Sequence, residues 1–483
     1  MSLPLSDLQA LLPELALLVL MGLVMLLDLV WHPRRGLGVW TALGLVAVLG
    51  LSLAWAQPFT SQEVWGGILR HDGYSFVFRM LFLVGALVTA LLAMDVPHLG
   101  DKGAFYLLLL TSTLGMMLMS MANNLIMVFL AVETASIPLY VMAGFYPKDQ
   151  ASAEAGFKYM LFGALASAVL VYGMTLLYGL AGTTDFAGVV AGLQQATWPV
   201  WMTVAVLLLV LAGFAFKVAA VPFHFWAPDV YTGAPTPIAA YLSTASKAAG
   251  FAVLVRFLLA ALPGSTLPWW GAFLAAMAAA TMTVGNFLAL AQRNLKRLLA
   301  YSSIAHAGYI LIGVVAASHL GVTAAVFYLV VYLLTNLVAF GVVVALESAG
   351  GTSEIRSLAG LYKRSPLLAL FLMTAFLSLA GVPPFSGFVA KVWVFTAAVE
   401  AGLIWLAIVG VLNAIVGLYY YLIVLKVAYV YDAPEEEMRQ PVRVPRLQAA
   451  ALGVLSVLIV VMGLVFAPWF AWGEWAARTL LGG

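Results

Sequence analysis

Four ionisable side chains sit inside apolar stretches where a charge is expensive to keep. Lys217 and Lys247 lie on either side of the proline-broken middle of FAFKVAAVPFHFWAPDVYTGAPTPIAAYLSTASKAAG, Lys391 follows a double proline in LSLAGVPPFSGFVAKVW, and Glu133 lies in NNLIMVFLAVETASIPLYVMAGF. An ammonium or carboxylate held away from water costs a few kcal/mol or more unless it is paired or hydrated. Such a group can stand charged or neutral, and nearby charge decides between the two. The chemistry this suits is proton exchange. Pro138 and Pro222 each follow a charged residue, Glu133 and Lys217, by five positions. A proline has no amide hydrogen for the carbonyl four residues before it, so the carbonyls of Thr134 and Val218 are freed, and with Pro383 and Pro384 those of Leu379 and Ala380. If Glu133 and Lys217 meet, they form an electrostatic switch; otherwise Glu133 serves polar groups between helices. Lys247 has Ser243, Thr244 and Ser246 as local hydroxyls and no carboxylate within two turns of its own helix.

The elements that must hold these groups are membrane helices. Of 483 residues, 64% are apolar and 9% charged, so a soluble fold would expose apolar surface over hundreds of residues. The reading is an all-α polytopic membrane protein with 14 spans, among them 124–145, 153–180, 199–231, 235–261, 294–316, 320–347 and 366–400. The opening MSLPLSDLQALLPE has no basic residue before its apolar run, which argues for a retained first span. With the N-terminus outside, 13 of the 22 basic residues fall in inner loops and only Arg70 and Arg478 in outer ones. The positive-inside rule then puts both termini on the outer side. A net charge of +2 indicates no nucleic-acid partner, and the absence of cysteine excludes iron–sulfur ligation and thiol chemistry by this chain. No nucleotide, flavin, quinone or metal motif stands in a convincing context.

The seventh and twelfth spans are too long for one straight crossing. About 32 helical residues measure about 48 Å against a hydrocarbon core of about 30 Å. Each pairs a proline break with a lysine, and the two are five spans apart, an odd number, so they run in opposite directions. That is the pattern of two inverted-topology repeats with broken helices, unless two proline kinks coincide. The chain divides into a three-helix segment (1–100), a first repeat (101–262), a second repeat (263–431), and a loop, last span and tail (432–483).

Weaker candidates remain open in two ways each. Glu154 and Lys158 are four apart on one helix face, as a static pair or a gate. His224 and Asp229 suit a proton relay, or equally an interfacial anchor and a helix cap. His306, with Tyr301, Ser302 and Ser303 nearby, suits a hydrated polar path or a singly bonded core histidine. Arg79, Arg256 and Lys426 read as snorkelling or structural charges. The loop from Asp432 to Arg446, with Glu435, Glu436, Glu437 and Arg439, is a solvated loop or a docking site. Trp469, Trp472 and Trp475 read as an interfacial belt.

Three long motifs carry a resemblance: FKVAAVPFHFWAPDVYTGAPTPIAAYLSTASKAAGFAVLVRF, NLKRLLAYSSIAHAGYILIG and LAGLYKRSPLLALFLMTAFLSLAGVPPFSGFVAKVWVF. They resemble the antiporter-like membrane subunits of proton-pumping NADH:quinone oxidoreductase, respiratory complex I, over roughly residues 100–430. PDVYTGAPTP and YSSIAHAGY are most similar to the N-type members. The resemblance implies proton-translocation roles for Glu133, Lys217, Lys247 and Lys391; Glu154, Lys158, His224, Asp229 and His306 stay possible relay positions on the reading of the residues alone. It implies that NADH, FMN, iron–sulfur clusters and quinone belong to partner subunits, with no cofactor or metal here. Those partners are the other membrane and peripheral subunits, in a prokaryotic inner (plasma) membrane. A subunit of a sodium or potassium/proton antiporter shares the fold and the lysines, and a non-conducting scaffold is a third class.

Overall fold

A computed structural model of the protein describes residues 5–30, 36–58, 60–195, 198–433 and 441–482. Among them 13 helices are long and apolar enough to cross a membrane. One more crossing is built from two shorter pieces, Pro366–Ala380 and Ser386–Glu400. The expected all-α polytopic architecture is present, with span ends within about a turn of the sequence reading. Glu435, Glu436, Glu437 and Arg439 lie outside the described residues, as do Arg34 and Arg35.

Hydropathy does not reveal which spans form the middle. In their most apolar 18-residue stretch, every residue of the eighth (Thr236–Ala260) is buried, and 94% of those of the tenth (Leu295–Val315) and eleventh (His319–Ser348). By contrast the corresponding stretches of the first (Leu12–Val30) and sixth (Gln150–Ala181) are 28% buried, so their remaining surface is left for lipid or partners. The core is thus the eighth, tenth and eleventh spans, which lie between the two broken ones in the chain and are wrapped by less buried helices.

Both long spans are broken, and the breaks share a backbone design. The seventh runs Val200–Val218, unwinds, and resumes as Trp226–Gly233. Helix ends usually precede a proline, because the residue before it disfavours the helical region; here the first half stops four residues ahead of Pro222. Ala219 and Gly381 close the first halves in the left-handed conformation, at φ +57° and +82°. The following N–H groups reach back to the first halves, from Ala220 to the Ala215 carbonyl at 2.9 Å and from Val382 to Leu377 at 3.0 Å. That is the Schellman closure. Glycine is required at 381 for a second reason: a Cβ there would stand 2.8 Å from Cδ of Lys391.

The fifth and tenth spans begin alike. Asn124 caps Leu125–Ala143, donates to Thr184 Oγ1 at 2.9 Å, and bridges to Asp185. Asn294 caps Leu295–Val315, donates to Ser353 Oγ at 2.7 Å, and bridges to Glu354. In each case an asparagine ties the start of one span to the loop after the next.

The end away from the basic loops is clamped by buried ion pairs. A hairpin of Gln62–Val64 and Leu69–His71 leads into Asp72, which caps the third span (Gly73–Ala93). Arg256 is fully buried and grips the Asp72 carboxylate at 2.7 and 2.9 Å while donating to the Ser120 carbonyl. Arg79, also buried, pairs with Glu14 at 2.9 Å. Neither arginine snorkels; each is a paired structural charge. Lys426 is exposed and lies over the Tyr431 ring. The C-terminal helix Ala467–Leu481 docks on this end through Trp475, which packs on Phe76, and Thr479, whose carbonyl accepts from Arg70 at 2.7 Å. Trp475 is a packing anchor, and Trp472 remains exposed.

Candidate functional site

The seventh span brings Lys217 to the fifth. Lys217 is buried, and its Nζ donates to Ser136 Oγ at 2.8 Å rather than to the Val218 carbonyl. Ser136 is one turn beyond Glu133, whose carboxylate accepts from Ser167 of the sixth span. The four side chains therefore share a polar cluster around a small cavity lined by Tyr140, Ser167 and Lys217. No ion pair joins Glu133 to Lys217; hydroxyls stand between them. The eighth span packs closely here because it carries Gly250, where a Cβ would stand 3.0 Å from Cγ of Lys217. The carbonyl of Phe216 accepts the indole N–H of Trp226 at 3.1 Å, so the helix break is closed without the lysine.

Lys391 behaves otherwise. Its Nζ donates to the carbonyls of Leu379 and Ala380 at 2.8 and 2.9 Å, the two that the double proline releases. It also stands 5.2 Å from the centre of the Tyr309 ring, a cation–π distance.

Lys247 lies between. It opens the helix Lys247–Ala260 directly after a π-helical turn, Leu242–Ser246. A π turn shifts the register of the following side chains and is frequent at functional positions. The local hydroxyls are not its partners: Ser243 and Thr244 donate to the Ala240 carbonyl. Lys247 instead donates to the carbonyl and hydroxyl of Ser303 on the tenth span, at 2.6 and 2.5 Å.

From Ser303 the polar groups continue toward Lys391. Ser302 bonds the Tyr421 hydroxyl, which lies 3.2 Å from His306 Nε2, and His306 Nδ1 bonds Tyr328 at 2.9 Å. His306 is thus a doubly bonded bridge rather than a singly bonded core residue. Next to it Asn286 donates to Tyr309 at 3.1 Å and accepts from Tyr420 at 3.0 Å, directly under the ring that faces Lys391. Buried hydroxyls and amides of this kind are both donors and acceptors, as a proton path requires.

Residues 122–417 match the family described as NADH:quinone oxidoreductase/Mrp antiporter, transmembrane. NADH-quinone oxidoreductase subunit N of Moorella thermoacetica is 44% identical over 447 residues, covering 91% of this chain and 92% of that protein. The chain belongs to the subunit N family. A chain of respiratory complex I from Thermus thermophilus superposes with a TM-score of 0.80 at 35% identity, covering 95% of this chain and 98% of that one. A chain of the Mrp complex from a Dietzia species superposes at 0.83 over 99% of this chain and 98% of that one, but at 23% identity it shares the fold alone. The difference in identity favours the quinone oxidoreductase side of the family over the antiporter side.

Within this subunit N relative, the secondary candidates separate. Glu154, Lys158 and Asp229 form one chain with Arg297: Lys158 bonds Glu154 at 2.6 Å and Asp229 at 2.8 Å, and Arg297 takes the other Asp229 oxygen at 2.8 Å. It links the sixth span, the second half of the seventh and the tenth. His224 is no part of it; the ring is buried, and its Nδ1 makes no hydrogen bond. Sequence reasoning missed Tyr421, Tyr328 and Asn286, and named Ser303 only as a neighbour of His306. The signal for Asn286 was present, since an asparagine inside an apolar span is costly and seeks a partner on another helix.

Proposed function

We propose that the chain is a proton-translocating membrane subunit of an NADH-quinone oxidoreductase, with the redox centres held by other subunits of the complex and none in this chain. Both termini lie on the outer side of the plasma membrane. The segments 101–262 and 263–431 are inverted repeats; the matching Schellman closures and the paired asparagine clasps support this reading. Glu133 and Lys217 form a coupling pair, Lys247 holds the central proton, and Lys391 serves the outward side or the neighbouring subunit, with His306 as the bridge.

The observation that carries this proposal is the bonding of Lys247. It is buried, has no carboxylate partner among the described residues, and donates only to Ser303, next in sequence to a run of bonded side chains, Ser302–Tyr421–His306–Tyr328. A cation kept solely for structure is normally paired, as Arg79 and Arg256 are. An unpaired buried lysine can lose its proton to that run, and a neighbouring positive charge would drive the loss. Redox energy would reach it as changed charge or hydration in adjacent subunits. The chain Glu154–Lys158–Asp229–Arg297 acts as a gate on the inner side, because moving the second half of the seventh span pulls Asp229 from its two cations.

Lys247→Arg tests the role of Lys247. Guanidinium stays protonated at any accessible pH, so the variant keeps the charge and removes the release step. Proton pumping in reconstituted vesicles, normalised to assembled complex, should fall several-fold. Pumping at the wild-type level would show that Lys247 is a structural cation.

A further inference from the structure

A second polar site lies at the basic end of the molecule, away from the lysines described above. It is a cavity of about 330 Å³ bordered by Tyr146, Asp149, Thr236, Lys296, Glu347 and Ser353. Its two principal charges differ in access. The side chain of Glu347 is 33% exposed and that of Lys296 only 7%, with 4.0 Å between them. Lys296 is held inward by the Ala234 carbonyl at 2.9 Å, at the joint between the seventh span's second half and the eighth span. Glu347 accepts from Thr236 Oγ1 at 2.5 Å, and Thr236 is the first residue of the helix that leads through the π turn to Lys247.

Two buried polar atoms without a hydrogen bond among the described residues lie near these groups, one on Tyr231, next to Thr232 of the cavity lining, and one on Asn336, which bonds Ser243 one turn before Lys247. Tyr231 is fully buried, its ring packed against Phe340 of the eleventh span, and its hydroxyl has no hydrogen-bond partner among the described residues. Asn336 is also fully buried; its amide nitrogen donates to Ser243 at 2.7 Å and Tyr332 at 3.0 Å, while its carbonyl oxygen is unbonded. Unbonded polar atoms at such depth cost about 1–3 kcal/mol each, and water is the partner that such sites ordinarily take. Tyr231 comes from the seventh span and Asn336 from the eleventh, so the two atoms belong to separate helices.

We infer that Glu347 is the proton-collecting group of an uptake mouth on the inner face, and that Tyr231 and Asn336 hold the water that carries the proton on to Lys247. The step is an ordinary transfer: a hydronium O–H bond breaks, a carboxyl O–H bond forms on Glu347, and the proton passes along hydrogen-bonded water to the lysine nitrogen. Lys296 is a positioning residue. It fixes the joint above the mouth and, with Asp149 and Tyr146 on the facing loop, sets the field that Glu347 feels. This inference rests on the reading of Lys247 as a proton relay.

The test uses the whole complex in inverted membrane vesicles, where the inner face meets the medium. Initial pumping rate per NADH oxidised is measured for Glu347→Gln and Glu347→Asp at about pH 6.5 and about pH 8.5. A collecting carboxylate matters most when protons are scarce, so Glu347→Gln should lower the ratio by roughly twofold more at the higher pH, and Glu347→Asp should restore most of it. An equal loss at both pH values, or no loss, overturns the inference. Lys247→Arg is measured beside them. If it is impaired while Glu347→Gln pumps normally at both pH values, the uptake mouth is wrong and the relay stands. If Lys247→Arg itself pumps normally, the relay is wrong and the inference falls with it.

Discussion

The two broken helices close their first halves with the same backbone geometry and cap the break with different chemistry. In the seventh span a neutral indole, Trp226, covers the Phe216 carbonyl, and Lys217 turns away to Ser136. In the twelfth, Lys391 itself covers the two carbonyls that Pro383 and Pro384 release. The comparison separates two duties of a membrane lysine. Lys217 is spared backbone work, so its partner can change between a serine and the carboxylate one turn away. Lys391 is anchored by two carbonyls, and losing its charge would also weaken the cap. On the proposed roles, a switching pair belongs to the first break, and to the second a lysine whose proton release also loosens its cap.

The largest expected effect tests the switching pair. Glu133→Gln and Lys217→Ala should each reduce pumping several-fold with assembly intact, and the double variant should lose less than the product of the two. Residues sharing one network couple by about 0.5–3 kcal/mol. Strictly multiplicative losses would mean that the hydroxyls between them insulate rather than connect.

Lys391 should respond on two axes. Lys391→Met removes both bonds to the carbonyls, and each buried acceptor left unmade costs about 1–3 kcal/mol. Pumping and thermal stability of the purified complex should fall together. Lys391→Arg keeps the donors and should recover stability without recovering pumping. If Lys391→Met leaves the melting temperature unchanged, the cap is not what holds the twelfth span, and the contrast between the breaks collapses.

The asparagine clasps give a smaller and more even effect. Asn124→Ala and Asn294→Ala each remove a helix cap together with a bond to the opposite loop, at about 0.5–2 kcal/mol for the cap. If the repeats are equivalent, the two losses of thermal stability should be similar. A large loss from one alone would show that the repeats have diverged in what holds them.

Much of this was legible in the sequence, for specific reasons. The number and rough bounds of the spans followed from hydropathy, which reports the bilayer directly. The link from Lys391 to the Leu379 and Ala380 carbonyls was partly legible, because two prolines name the freed groups and the lysine lies two turns beyond them. The partner of Lys247 was not. Ser303 sits 56 residues away on another helix, and nothing local distinguishes it from the hydroxyls at 243 and 244, which are bonded to the backbone. The breaking of the Lys217–Pro222 analogy has the same origin. A helix that ends at Val218 sends its lysine outward to a neighbouring span, a choice made by packing against Gly250 and not by the proline offset.

The smallest expected effect isolates the cap of the first break. Trp226→Phe keeps most of the ring that stacks on Tyr159 at 4.4 Å but deletes the N–H that reaches the Phe216 carbonyl. That carbonyl retains the N–H of Ala219 at 3.0 Å, so it is weakened rather than orphaned. The loss is then that of one neutral hydrogen bond, about 0.5–1.5 kcal/mol. Thermal stability of the complex should fall slightly and pumping should stay near wild type, because no proton-bearing group has lost a partner. A large pumping defect with unchanged stability would mean that the indole positions Lys217, and that the first break is no more independent of its cap than the second. The same measurement on Lys391→Met supplies the scale: only if its pumping loss far exceeds that of Trp226→Phe do the two breaks divide their work between a structural cap and a charged one.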